Sequence, residues 1–239
     1  MDNLEMRLQI DDDFPCGEWE QLNAILGRYR HQYLGDTHKA HCWSRFIRAW
    51  HSVVYRYKAC CEANDSFVQL WDRLSEPAMP PPEDRYAQER DLFNFVVNAL
   101  SCVEAAFMAF YAMTATQHPH RPPAPLPERP PTFVPFILTT WAESVQSVFR
   151  SFEAVYPLDS FTLQLYRVKN DPERIQLEEQ RNAIAHGSGS FGRYIFAGGP
   201  DWGHYLISRD MLERVRLWLA HDLGGLFPPA LDFAGRVLQ

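Results

Sequence analysis

The sequence predicts an all-α protein carrying one small β-hairpin. Three observations support this: long tracts with apolar residues three and four apart, prolines gathered between those tracts, and boundary residues at both ends of the tract from Asp171 to Gly187. At 239 residues the chain can bury a core of its own. Apolar residues make up 46% and aromatics 14%, which excludes a predominantly disordered chain.

The first helix is expected over residues 18–33, where apolar positions follow helical spacing. A longer one is expected over 39–74, with Asn64 marking a candidate break. The run "SEPAMPPPED" stops it, because consecutive prolines remove backbone donors and clash with the preceding turn. A strongly apolar helix comes next, over 86–116. It contains "LFNFVVNALSCVEAAFMAFYAMTA", but Asn94, Asn98, Ser101 and Glu104 interrupt the run, and polar groups are costly in hydrocarbon. The segment therefore reads as the central helix of a soluble core, with no membrane partner. Those four polar residues fall within about 120° of one another on the helix. They form either the lining of a groove or the helix's solvated face.

Residues 117–135 hold eight prolines in nineteen positions and read as an extended connection. Such a length either wraps the surface or separates a helical hairpin from the rest of the chain. The next helix is expected over 133–155, ending before Pro157. Asp171 then offers an N-cap, Pro172 suits the first helical position, and Glu173 favours the first turn. This helix runs through "ERIQLEEQRNAIAH" to Gly187, a residue suited to the left-handed C-cap. The glycine-rich "RYIFAGGPDWGHYLI" predicts a hairpin at about 191–207. A last helix over 209–223 precedes a proline-containing tail. The expected organisation is an N-terminal helical region, 1–82, packed on a helical domain, 83–239.

The formal charge of −7 argues against a broad duplex-binding surface, which is usually strongly basic. A small site for single-stranded RNA remains compatible with it. Cys16, Cys42, Cys60, Cys61 and Cys102 form no CxxC pair and read as reduced thiols of a cytoplasmic protein. The opening "MDNLEMRLQIDDDFP" has acids where a secretory signal would have basic and apolar segments.

The chemistry concentrates in "RNAIAHGSGS", beginning at Arg181. On a helix Asn182 and His186 stand nearly above one another, and Glu178 extends the stripe by a turn. Arg181 lies about 140° from His186, so one helix alone does not bring the two together. Two copies meeting across a twofold axis would gather both pairs in one cleft. There His186 can take the proton of an RNA 2'-hydroxyl or deliver one to the leaving 5'-oxygen. Arg181 can grip the phosphate and offset transition-state charge. Asn182 can orient a phosphate oxygen or the imidazole, with Glu178 bracing Arg181 and Glu104 bracing either residue. The plain alternative is a helix C-terminus in which His186 gains from the dipole, Gly187 ends the helix, and Arg181 pairs with Glu178 at the surface.

The run "EEQRNAIAHGSG" resembles the signature of the HEPN superfamily, in which an arginine, often followed by asparagine, precedes a histidine after four to six residues. Arg181, Asn182 and His186 match those elements over about residues 171–189. The resemblance implies a HEPN-like helical bundle that dimerises to form the cleft. It implies a metal-independent endoribonuclease acting on single-stranded RNA, in a toxin or antiviral-defence setting with a cognate regulatory protein. Non-catalytic members imply the alternative, a dimerising, regulatory or partner-binding module. The hairpin, the proline-rich insert and the first eighty residues depart from a minimal bundle.

Arg193, Tyr194, Trp202 and Tyr205 on the hairpin are candidate RNA contacts, with rings stacking on bases and Arg193 reaching phosphate. Their alternative is burial against the last helix. His204 lies on the same hairpin. His38, His41 and Cys42 supply too few ligands for a structural zinc site, so neither metal nor cofactor is expected. Nor does any GxxxxGK[ST] run make a phosphate loop.

Overall fold

The computed structural model describes residues 13–33, 35–73, 81–116, 156–185 and 209–238, which are helical almost throughout, and no strand occurs among them. Six helices occur in order among these residues: α1 Cys16–Tyr33, α2 Thr37–Arg73, α3 Pro82–Ala115, α4 Ser160–Lys169, α5 Pro172–Ala185 and α6 Arg209–Val237. The all-α class is therefore as expected. The hairpin at 191–207, the insert at 117–135, the helix over 133–155 and the stop at Gly187 lie outside the described residues.

Two compact units are interleaved in sequence. The first comprises Met1–Phe14, Val54–Val103 and Asp171–His221, and the second Pro15–Val53, Glu104–Asn170 and Asp222–Gln239. Residues 1–82, expected as one region, thus contribute to both. In the first unit α2 and α3 run antiparallel. Arg73 pairs with Asp84, the Ser66 hydroxyl donates to Asp91 at 2.6 Å, and Arg56 Nη1 donates to Asn98 Oδ1 at 2.8 Å. As α2 numbers fall, α3 numbers rise. Phe67, Leu70, Leu92, Phe95, Val96 and Leu100 are buried in this unit.

In the second unit the core is aromatic. Trp50 is fully buried, stacks on Trp19 with centroids 6.1 Å apart, and meets Phe110 at 5.7 Å and Phe227 at 5.1 Å. Phe110 continues edge-on to Phe161 at 4.8 Å, and Phe161 meets Phe233. Each of these rings contributes up to about 3 kcal/mol by leaving water. Five helices thereby share one cluster.

The uninterrupted α2 corrects the expected break near Asn64. Asparagine disturbs helices by bonding its own backbone, but Asn64 is buried and its Nδ2 donates to Glu213 Oε2 at 3.4 Å. That tertiary bond occupies the competing donor. By length and composition α3 is apolar enough to cross a bilayer, yet 78% of its apolar window is buried inside the protein, the pattern of a core helix.

The sequence reading assigns no element to α4. Asp159 accepts from the Phe161 amide as N-cap, Arg167 and Lys169 occupy the last turn, and Phe161, Leu165 and Val168 are buried. The exposed Leu163 blurs that periodicity. In α5 the expected cap is present: Asp171 Oδ1 accepts from the Glu173 amide at 2.8 Å. The last helix does not stop at 223. It continues through Pro228 and Pro229 to Val237, because Leu226, Phe227, Ala230, Phe233 and Ala234 are all buried. Burial of that face offsets two missing backbone donors. The carbonyls four residues back belong to Gly224 and Gly225, where a backbone without Cβ yields most easily to the proline rings.

Candidate functional site

The described part of the Arg-Asn-His constellation sits at the end of α5, in the first unit. Leu177 buries the inner face of α5. Glu173 Oε1 receives Arg214 Nε at 3.1 Å, and Gln180 Nε2 lies 3.9 Å from Met211 Sδ. The C-terminal turn of α5 therefore lies beside the first turn of α6, with the two helices antiparallel. Arg209 in that turn pairs with Asp72 of α2 at 2.8 Å. These contacts hold the α5 end against α6, and α6 in turn is tied to α2.

Arg181 is half-buried and Asn182 is exposed. The Arg181 guanidinium donates through Nε at 3.3 Å and Nη2 at 3.2 Å to the single Oδ1 of Asn182. Adjacent helical side chains do not ordinarily face each other. Here the long arginine arm folds across the helix end to reach its neighbour. The structure thus brings Arg181 and Asn182 together, and the amide oxygen constrains the plane of the guanidinium. Glu178, expected to brace Arg181, gives its Oε2 to Arg174 Nη1 at 3.0 Å, an i,i+4 pair in which Arg174 is the more buried partner. Arg174 was not singled out by the sequence reading. Its signal was the Glu178 spacing in the direction opposite to Arg181.

His186 lies outside the described residues, as do Arg193, Tyr194, Trp202, His204 and Tyr205. On α3, Asn94 is exposed, Ser101 and Glu104 are half-exposed, and Asn98 is buried. Asn98 is committed to packing: it accepts from Arg56, and its Nδ2 donates to the Asn94 carbonyl at 2.7 Å. Glu104 belongs to the second unit.

Among the described residues no group of three or more His, Cys, Asp or Glu could hold a metal ion. Cys42 is buried, and burial raises its thiol to about 11. Burial also pushes the Cys102 thiol far above its usual range. Cys60 and Cys61 are buried as well, while Cys16 is exposed, and all five cysteines are free thiols.

A second polar cluster in the first unit was missed by the sequence reading. Arg216 forms a fork onto Glu213, Nε to Oε2 at 3.0 Å and Nη2 to Oε1 at 2.8 Å, and its Nη1 donates to Asp13 Oδ2 at 2.7 Å. The Arg216 hydrogen bonds hold the Glu213 carboxyl below its ordinary value, and Glu213 in turn raises Arg216 further above an arginine's usual value. Only the i,i+3 spacing of Glu213 and Arg216 was visible in sequence. Asp13 is 203 residues away.

No protein-family model, curated protein or solved structure matches the chain.

Proposed function

We infer that the protein is a metal-independent endoribonuclease of HEPN type acting on single-stranded RNA. The observation that carries this reading is the Arg181–Asn182 pair, joined through Asn182 Oδ1 at the end of a helix anchored on α6. A guanidinium with a constrained plane suits a phosphodiester oxygen better than a freely rotating one. The adjoining first turn of α6 adds the partial positive charge of a helix N-terminus.

In the reaction, His186 takes the proton of a 2'-hydroxyl while that oxygen attacks the adjacent phosphorus, and Arg181 balances the added negative charge. The bond to the 5'-oxygen breaks, and that oxygen receives a proton. The products are a 2',3'-cyclic phosphate and a 5'-hydroxyl. A homodimer would supply Arg181 and His186 from both copies, with Glu178 and the aromatics of residues 191–207 in supporting roles. The toxin or defence setting, a cognate regulatory protein and a cytoplasmic location extend the same reading.

The test is incubation of a mixed single-stranded RNA pool with the wild type, Arg181→Ala and His186→Ala in EDTA, with product termini and oligomeric state determined. Cyclic phosphates from the wild type alone, at unchanged oligomeric state, are expected. Equal cleavage by all three overturns the assignment. No cleavage by any folded protein moves the reading to a non-catalytic dimerising or partner-binding module.

A further inference from the structure

Among the described residues, a well-built polar arrangement outside the α5 end surrounds Arg216. Glu213 grips two of the guanidinium's donors from one turn back on α6, and Asn64 of α2 holds Glu213 in turn. The Arg216 side chain is 15% exposed, and the two-point fork onto Glu213 fixes the plane of its guanidinium from within α6. The remaining nitrogen, Nη1, faces the Asp13 carboxylate. Beside it lies the buried Tyr57 ring, covered by Phe14 at a centroid distance of 5.0 Å. An acid and the aromatic residue after it thus fill one two-part receptor, with an arginine prong for the carboxylate and a ring for the phenyl group.

The occupant has the features of a strap. Asp13 and Phe14 precede α1 and are not helical, and the Asp13 side chain is 47% exposed. They also leave polar capacity unused. The Tyr57 hydroxyl and Asn64 Oδ1, on the same face of α2, are buried without a nitrogen or oxygen partner. Only the Cys61 thiol, a weak acceptor, serves the tyrosine. Polar groups left so poorly met in a buried place are unfavourable. A ligand that brought polar groups to them would gain what the strap forgoes.

We propose that Tyr57, Asn64, Glu213 and Arg216 form a peptide-docking site for an acidic segment in which aspartate precedes an aromatic residue, with Asp13–Phe14 as its resident intramolecular ligand. A partner peptide of this chemistry displaces the strap. Because a tethered ligand acts at an effective concentration in the millimolar range, the closed protein binds such a peptide weakly and the protein with its strap disabled binds it well.

The experiment uses the full chain carrying Asp13→Asn and Phe14→Ala, and a fluorescein-labelled peptide of residues 9–18 with Cys16→Ser. Fluorescence anisotropy should show the double variant binding at least about tenfold more tightly than the wild type, and the same peptide carrying Asp13→Asn should bind neither. Equal binding to wild type and variant, or none to a folded variant, overturns the proposal. If the variant does not fold, amide exchange of the wild type decides. Amides at residues 13–14 exchanging at least about 100-fold faster than those of Leu212–Leu219 support a strap that opens on its own. Equal exchange makes Asp13–Phe14 a fixed part of the core and sinks the idea.

Discussion

Replacing Pro228 by alanine should stabilise this protein, although it alters a helix packed into the core. Pro228 lies inside α6, and its own ring is exposed. The substitution therefore removes little buried surface. It restores an N–H to the Gly224 carbonyl, a hydrogen bond worth about 1 kcal/mol net. It also removes the ring's clash with that carbonyl. The full penalty for proline in a helix interior is about 3 kcal/mol relative to alanine, but the glycines at 224 and 225 have already absorbed part of it. The expected gain is therefore about 1–3 kcal/mol. For a chain of this size, at about 2–4 °C per kcal/mol, Tm should rise by roughly 2–12 °C. Calorimetry and urea unfolding measure it, with the denaturant slope unchanged. Gly224→Ala, whose added methyl meets nothing within 4 Å, should gain up to about 1 kcal/mol. Gly225→Ala should gain less, because its methyl would lie 3.0 Å from Gln164 Nε2. A fall in Tm for Pro228→Ala would refute the view that α6 persists despite its prolines. They would then be part of what shapes it.

Three other outcomes are expected. Phe110→Ala removes a fully buried ring between Trp50 and Phe161 and should cost about 3–5 kcal/mol, read by urea unfolding and by loss of near-UV Trp ellipticity; a cost under about 1 kcal/mol would mean the aromatic cluster repacks freely. Asp171→Ala removes the α5 cap and should cost about 1 kcal/mol while Asp171→Asn costs little, and equal losses in thermal unfolding would assign the effect to charge. Because Arg216 holds Glu213 below the ordinary carboxylate value, Glu213 contributes stability that is complete above its unfolded value of about 4.3 and is lost as pH falls through the lower folded value. Glu213→Gln should therefore flatten the acid side of the stability curve, and an unchanged curve there would remove the fork from the account.

What could be read from the sequence was what local physics decides. Asp171–Pro172–Glu173 marks a helix start because cap, ring and charge all act within one turn, and the structure has that start. The long apolar tracts of α2 and α3 were legible because periodicity over thirty or more residues leaves little choice. The errors came where distant residues outvote local preference. Asn64 does not break α2, because Glu213, 149 positions away, takes its amide. Pro228 and Pro229 do not end α6, because the residues around them complete an aromatic core begun by Trp19 and Trp50. The same distinction separates the two polar sites. Arg181 and Asn182 are neighbours in the chain, so a motif could point to them. Arg216 and Asp13 meet only in the folded molecule, and no spacing rule reaches across 203 residues. A receptor whose parts come from α2, α6 and the segment before α1 exists only once the helices have packed, so it had to be found in the structure.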